Sequence, residues 1–462
     1  MSRLVIFGLD CLVPELVLET WRDELPALRR LLEQGGGRRL VSTIPPITVP
    51  AWTAMMTSQD PGQLGVYGFR NRADHSYENL VFADARAVRA KTVWNLLSRA
   101  RLRSLVMGVP QTYPPKPLNG ALVGCFLTPG PDADYTYPPE FKATLAAAAG
   151  GEYVIDVKDF RTDDKERLLA AIQEMTRRRF RAFRTVWAAE DYAFAIVVEM
   201  GTDRIVHGFW RYFDRTHRLY EPGNPYENAV RDYYRLVDEE IGRTLAILPD
   251  DVSVMVVSDH GAKGMEGAIC VNDWLIRQGY LALREPPAGR TKLVTRMIDW
   301  SRTRVWGDGG YYGRIFLNVA GREPAGVIPA EEYETFRDRL AAELAAIPDE
   351  EGRPIGTVVY KPEEIYRAVN GVAPDLIVYF GDLRWRSAGT VGNATLHLRE
   401  NDTGPDDANH AQEGVFIWDR LRTTAPAPLS IYDVAPTVLD FFGLAVPEEM
   451  IGRPIGREER AG

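Results

Sequence analysis

The chain has 462 residues, 45% of them hydrophobic and 26% charged, with a formal net charge of −9. That length exceeds what a single core usually serves, so one large domain with an insertion, or two domains, is expected. The acidic balance excludes broad nucleic-acid binding, which needs a basic face to displace counterions from phosphates.

Leu4–Leu9 is a continuous apolar run, the mark of a strand covered on both faces, and it ends at Asp10. Helical spacing follows from Pro14 to Gln34, at Leu16, Leu25, Leu28, Leu31 and Leu32, closed by Gly35, Gly36 and Gly37. Asp10 falls at the edge where open α/β sheets place their ligands, although an Asp there serves equally well as a turn residue or helix cap. Prolines 45, 46 and 50 interrupt any ladder through the next stretch. Pro50 suits the first turn of a helix running through Ala54, Met55 and Met56, with Thr48 just ahead of its start. A hydroxyl there faces unpaired N–H groups and the positive end of a helix dipole, which favours phosphate, while the plain alternative is an ordinary N-cap.

A turn-rich loop then carries Arg70 and Arg72, and a helix over 92–101 precedes a strand at 104–109. Residues 110–139, rich in Pro, Gly and Tyr, read as a long irregular excursion, and 163–189 as a charged helix. The apolar strand Tyr192–Met200 leads into Gly201-Thr202-Asp203. If a helix begins there, Asp203 and His207 share one face and could bind one ion; a capping Asp with a solvated His is the alternative. Ser253–Val257 is a third apolar strand and runs into Asp259-His260-Gly261, a pair whose side chains converge only where strand alternation stops.

From Val271 the texture changes to Trp274, Trp300, Trp306 and Tyr311-Tyr312, with a polar helix over 330–346. This reads as an inserted lid, its aromatics forming either its own core or a substrate platform. The strand 375–380 is predicted to return the chain to the main sheet. The loop 401–409 delivers His410 ahead of a strand at 414–418, and an amphipathic helix over 431–442 ends the pattern. The predicted division is a catalytic domain at 1–270 and 375–462 with a lid at 271–374. Cys11, Cys125 and Cys270 form no CxxC pattern, so no disulfide framework or thiolate zinc site is expected. No run approaches the ~20 apolar residues of a spanning helix, and the first apolar run is too short for a signal-peptide core. The expectation is a cytoplasmic protein with no membrane partner.

Three carboxylates (Asp10, Asp203, Asp259) and three of the six histidines (His207, His260, His410) thus lie at strand ends or in loops of the same kind. Asp/His mixtures without Cys suit Zn²⁺ or Mn²⁺. Two such ions ~4 Å apart can hold both oxygens of an in-line displacement and activate a coordinated hydroxyl, which Thr48 would supply.

The ordered set of strand-Asp10, Pro-Pro-Ile-Thr48-Val-Pro-Ala-Trp-Thr, Gly-Thr-Asp203 with His207, Ser-Asp259-His260-Gly and a late His410 resembles the alkaline phosphatase superfamily. Within it the chain is most similar to the type I phosphodiesterase/nucleotide pyrophosphatase group, in particular its microbial predicted phosphohydrolases or phosphomutases. The resemblance implies an α/β/α sandwich around a large, mostly parallel sheet, and Thr48 as the nucleophile that becomes phosphorylated. It also implies one ion shared by Thr48, Asp10, Asp259 and His260 and a second held by Asp203, His207 and His410, with Zn²⁺ ahead of Mn²⁺. Nucleotide pyrophosphatases carry an Asn three residues after the nucleophile where this chain has Ala51, so Arg70, Arg72, Arg204 and Lys263 are candidate replacements for that phosphoryl contact. The sulfatase branch needs a modifiable Cys or Ser with Arg four residues on; Thr48 and Trp52 do not meet that pattern. The expected activity is hydrolysis of a small phosphate mono- or diester, with no nucleic-acid polymer as partner. A phosphomutase on the same site and a non-catalytic anion-binding protein are the rivals.

Overall fold

The computed structural model describes residues 2–421 and 428–456. Residues 1, 422–427 and 457–462 of the predicted catalytic portion lie outside the described residues. The long apolar runs become strands: β1 (Arg3–Leu9), β2 (Gly36–Val41), β3 (Ser104–Met107), β4 (Gly120–Val123), β5 (Thr136–Tyr137), β6 (Phe194–Glu199), β7 (Val252–Val257), β8 (Glu413–Trp418) and β9 (Leu429–Ser430). They form one sheet in the order β9-β2-β8-β7-β1-β6-β3-β4-β5. The run β7-β1-β6-β3-β4 is parallel, as is the edge pair β9-β2, while β8 runs antiparallel to both its neighbours. Strands buried on both faces explain why β1, β6 and β7 read as unbroken apolar segments.

Neighbouring residues of β1 show the two covering layers. Phe7 packs against Phe180 and Phe183, with ring centroids 6.0 and 6.1 Å away, on the long helix α2 (Lys165–Ala189). α2 packs in turn on α3 (Gly201–Phe213) and α4 (Ala229–Leu245). Gly8 points the other way, beneath Trp52 of α1 (Thr48–Thr57), which packs with α5 (Val434–Phe441). Successive strand residues face opposite sides, so helices cover both faces and the α/β/α sandwich expected from the sequence is the fold.

Several expectations need correction. The single helix expected from Pro14 to Gln34 is a π-helical turn at Leu16–Thr20, a 3₁₀ turn at Arg22–Glu24 and an α-helix only from Pro26. Leu25 precedes a proline, which disfavours the helical conformation there, and its backbone at φ −116° and ψ 72° is non-helical. The glycines at 36 and 37 do more than end that helix: they open β2, whose partner β8 lies almost four hundred positions on, beyond the reach of local patterning. Thr48 is the first residue of α1, and Ile47 holds the flanking extended position with no side-chain cap. Its hydroxyl is therefore not spent as an N-cap.

The largest change concerns residues 375–380. The strand Leu376–Tyr379 does not rejoin the main sheet but lies between Gly313–Leu317 and Val358–Tyr360, with Val305–Asp308 at the far edge of the same four-stranded antiparallel sheet. Leu376 and Val378 enter a second core with Val271, Trp274, Leu317, Phe336 and Leu340, Ile377 and Tyr379 face a smaller cluster with Ile47 and Tyr67, and the chain regains the main sheet only at β8. An apolar strand carries no mark of which sheet it joins.

A methyl group at Gly8 would lie 2.5 Å from Trp52 Cη2 and 2.8 Å from Val198 Cγ2. Overpacking of this kind costs about 1–3 kcal/mol. Gly8→Ala is expected to lower the unfolding free energy in urea by that amount, and an unchanged midpoint would contradict this packing.

Candidate active site

β7, β1 and β6 are adjacent and parallel, so their carboxyl ends open on one edge of the sheet. Asp10 directly follows β1. Beyond β6 the chain enters α3, which places Asp203 and His207 one turn apart. β7 ends at Val257 and gives way to Ser258, Asp259 and His260; the strand Gly261–Gly264 then pairs antiparallel with Ala408–Ala411, setting Ala262 opposite His410. α1 brings Thr48 and its helix N-terminus to the same edge.

The six predicted carboxylate and imidazole groups and Thr48 are thereby gathered, each 3% exposed or less. Thr48 Oγ1 lies 3.3 Å from His260 Nε2. His260 Nε2 is also 3.2 Å from Asp259 Oδ2 and 3.8 Å from Asp10 Oδ1. On the other side Asp203 Oδ1 is 3.2 Å from His207 Nε2 and 4.0 Å from His410 Nε2. The His260 and His410 rings stack between the two groups, 3.8 Å apart and inclined by 18°.

Two observations fit this donor set to cations. The first concerns the imidazoles. Nδ1 of His260 faces the carbonyl of Gly261 at 3.1 Å, Nδ1 of His410 that of Pro46 at 2.7 Å, and Nδ1 of His207 the carboxylate of Asp406 at 2.7 Å. A carbonyl or carboxylate only accepts, so each Nδ1 carries the proton and each Nε2 is turned towards the carboxylates. The second is that Asp10 Oδ1, Asp259 Oδ2 and His207 Nε2 are buried without any hydrogen-bond partner. Buried polar atoms are rarely left so; Asp10 and Asp259 lie together beside His260, and His207 Nε2 lies beside Asp203, as ligand atoms would. Ligand atoms of Asp10, Asp259 and His260 all lie within 4.8 Å of one another, and so do those of Asp203, His260 and His410. Cys11 makes a further such group with Asp203 and His207, but burial and the nearby Asp203 push its thiol well up, and it donates to the carbonyl of Gly261.

The electrostatics show how closely these buried carboxylates are crowded. Burial, then the neighbouring Asp203, push the Asp10 carboxyl well above its usual range; burial and Asp10 do the same to Asp259. Burial opposes a charge on His207, but Asp406 and Asp203 on either side outweigh it and raise the imidazole to about 10. Burial lowers His260 to about 4 and holds His410 well below its ordinary value, which favours the neutral imidazole in both.

The residues that orient this centre carry little sequence signal. Trp52 Nε1 donates to Asp10 Oδ2 at 2.7 Å, and the Cys11 amide to Asp259 Oδ1 at 3.3 Å, each leaving the other oxygen for the site. Arg204 bridges Asp203 and Asp156, bonding Asp156 Oδ2 at 2.6 Å. Asp406 is buried between His207, Tyr311 and Arg161. In the sequence nothing marks Trp52 or Asp406 as an orienting group, and Tyr311 reads as one of the lid aromatics, part of either the lid's own core or a substrate platform.

A cleft of about 910 Å³ opens over Thr48, Asp203, His207 and His410, with Phe69, Phe126, Phe160 and Tyr311 among its walls. Of the four candidate cations, Arg70 and Arg204 line it. Arg204 is committed to two carboxylates, whereas Arg70 lies over the Phe82 ring at 5.0 Å and makes no ion pair among the described residues. Arg72 is buried against Glu323, and Lys263 pairs with Asp382 at 2.8 Å; neither is part of the cleft lining. Ala51 is wholly buried on α1 and offers the cleft no polar group.

Asp10, Asp259 and His207 are all pushed towards their protonated forms, so a divalent cation bound among them would compete with protons. Their pKa values are raised and their protonated fraction grows as pH falls, so cation affinity is expected to weaken on acidification. Calorimetric titration in buffers of different ionisation enthalpy should report proton release on loading; a proton-neutral, pH-independent titration would contradict the assignment.

The family model for type I phosphodiesterase / nucleotide pyrophosphatase matches residues 4–406. No curated protein matches the chain by sequence. Among solved structures, phosphonoacetate hydrolase from Sinorhizobium meliloti 1021 in complex with phosphonoacetate superposes with a TM-score of 0.62 at 18% identity, covering 96% of this chain and 94% of that one. Murine ectonucleotide pyrophosphatase / phosphodiesterase 5 superposes with a TM-score of 0.56 at 13% identity, covering 96% of each chain. At such identities the likeness is one of fold. The family match runs from β1 to the loop before His410, and the chain belongs to the type I phosphodiesterase / nucleotide pyrophosphatase family of phosphoric-ester hydrolases.

Proposed function

We propose that this chain hydrolyses small phosphate mono- or diesters through a phosphothreonine formed on Thr48. Thr48, Asp10, Asp259 and His260 would hold one divalent cation, and Asp203, His207 and His410 a second. Zn²⁺ fits the carboxylate and imidazole set first and Mn²⁺ second. The observation that carries the reading is the place of Thr48 Oγ1, 3.3 Å from His260 Nε2, at a helix N-terminus beside buried carboxylate oxygens without partners. Two divalent cations supply charge neutralisation at the phosphoryl oxygens and lower the pKa of a nearby hydroxyl.

The chain's own residues supply the rest. Thr48 Oγ1 attacks phosphorus as its proton passes to solvent, the bond to the leaving-group oxygen breaks, that oxygen takes up a proton from solvent, and the phosphoryl group rests on Thr48. Water then cleaves that ester, returns a proton to Oγ1 and releases the phosphate. The N-terminus of α1 stabilises the negative charge throughout. Arg70, in the cleft and without an ion pair among the described residues, is the available cationic contact for the substrate. The solved complexes of phosphonoacetate hydrolase with phosphonoacetate and of murine ectonucleotide pyrophosphatase / phosphodiesterase 5 with AMP support a small anionic phosphorus compound in this cleft. Among the described residues no helix is long and apolar enough to cross a membrane, and all three cysteines are free and buried, which supports a reducing, cytoplasmic setting.

Thr48→Ala is expected to lower turnover of an aryl phosphate ester by roughly a thousandfold or more while two ions stay bound. Elemental analysis beside the rate assay checks this, and retained turnover would remove Thr48 as nucleophile. Asp259→Asn and His410→Ala are each expected to reduce bound metal below two ions per chain; full loading of both variants would contradict the ligand sets.

A further inference from the structure

We infer that Tyr311, carried on a loop of the four-stranded sheet and not of the main sheet, is a positioning residue for the cation site of Asp203, His207 and His410. It acts through Asp406. The inference rests on the two-cation reading above.

Tyr311 sits in the loop between the strands Val305–Asp308 and Gly313–Leu317. Its hydroxyl donates to Asp406 Oδ2 at 2.9 Å, and Arg161 Nε donates to the same oxygen at 3.0 Å. Arg161 Nη2 also donates to the Tyr311 oxygen at 2.6 Å, closing a triangle of three side chains. The other oxygen of Asp406 accepts the Nδ1–H of His207, which leaves His207 Nε2 facing Asp203. Asp406 has no exposed side-chain surface, so without Tyr311 its Oδ2 would keep only the Arg161 bond, and the carboxylate could turn about it.

The ring of Tyr311 reaches the same site by a second route. It stacks on His410 with centroids 4.4 Å apart and on His207 at 5.1 Å, and His410 stacks in turn on His260 at 3.8 Å. Asn409, next to His410, donates from Nδ2 to the Tyr311 carbonyl at 2.9 Å, fixing the loop to the ligand-bearing strand. Hydroxyl and ring thus set two of the three ligands of one cation site. Thr48, Asp10 and Asp259 have no contact with Tyr311 or Asp406 of this kind. Groups that hold a ligand's far nitrogen tune metal affinity by about 10–100-fold, so the effect should be large and confined to one ion.

The test is a Zn²⁺ titration of the apo-protein against a chromophoric chelator, resolving the two ions, for the unaltered chain, Tyr311→Phe, Asp406→Asn and Tyr312→Phe. Tyr311→Phe keeps the stacked ring and removes only the hydroxyl. Tyr312→Phe is the control for lid seating, because its neighbouring hydroxyl donates to the Tyr67 carbonyl and not to Asp406. The expected result is a loss of about 10-fold in affinity for one ion in Tyr311→Phe, a similar or larger loss for the same ion in Asp406→Asn, and none in Tyr312→Phe. Unchanged affinities in both Tyr311→Phe and Asp406→Asn, an equal weakening of both ions, or the same loss in Tyr312→Phe would overturn the inference while leaving two bound ions in place. An unaltered chain that takes up no Zn²⁺ would overturn it together with the two-cation reading.

Discussion

Three carboxylates, Asp10, Asp203 and Asp259, are buried together beside one hydroxyl, and their mutual repulsion is the constraint to which the surrounding structure answers. Charges removed from water need compensation, and here the protein supplies little. Arg204 serves Asp203, Trp52 offers one hydrogen bond to Asp10, and the Cys11 amide offers one to Asp259. The uncompensated oxygens all face inward. Burial and the neighbouring carboxylates push Asp10 and Asp259 towards their protonated forms, and Asp406 and Asp203 do the same to His207.

The main sheet makes this crowding unavoidable. Parallel order across β7, β1 and β6 brings three strand ends to one edge, and each strand is followed at once by ligand-bearing residues. Gly8 then matters as much as Asp10: with no side chain on that face, the Trp52 indole can lie against β1 and reach the Asp10 carboxylate. The same tryptophan belongs to the helix whose first residue is Thr48, so one helix sets both the proposed nucleophile and the orientation of a ligand.

Much of this could be read from the sequence because the chemistry-bearing residues follow local rules. An apolar run ending in Asp marks a strand end, a four-residue spacing on α3 puts Asp203 and His207 on one face, and Asp-His-Gly breaks strand alternation at 259–261. What stayed hidden depends on partners distant in sequence. Asp406 has its meaning only through His207, and Tyr311 only through Asp406. The strand Leu376–Tyr379 has the composition of a main-sheet strand and was misplaced for that reason; its partners at 313–317 and 358–360 decide the matter. Among the candidate cations, nothing in composition separates Arg70, which faces the cleft, from Arg72, which is locked to Glu323 two positions on.

The second core is therefore more than a cover. The four-stranded sheet built on it carries the loop of Tyr311, whose ring lines the cleft and stacks on His410 and His207. The account as a whole is tested most directly by anomalous diffraction from crystals of the Zn²⁺-loaded protein. It predicts two peaks roughly 4 Å apart, one among Thr48, Asp10, Asp259 and His260 and the other among Asp203, His207 and His410. A single peak, or peaks away from these seven side chains, would contradict it.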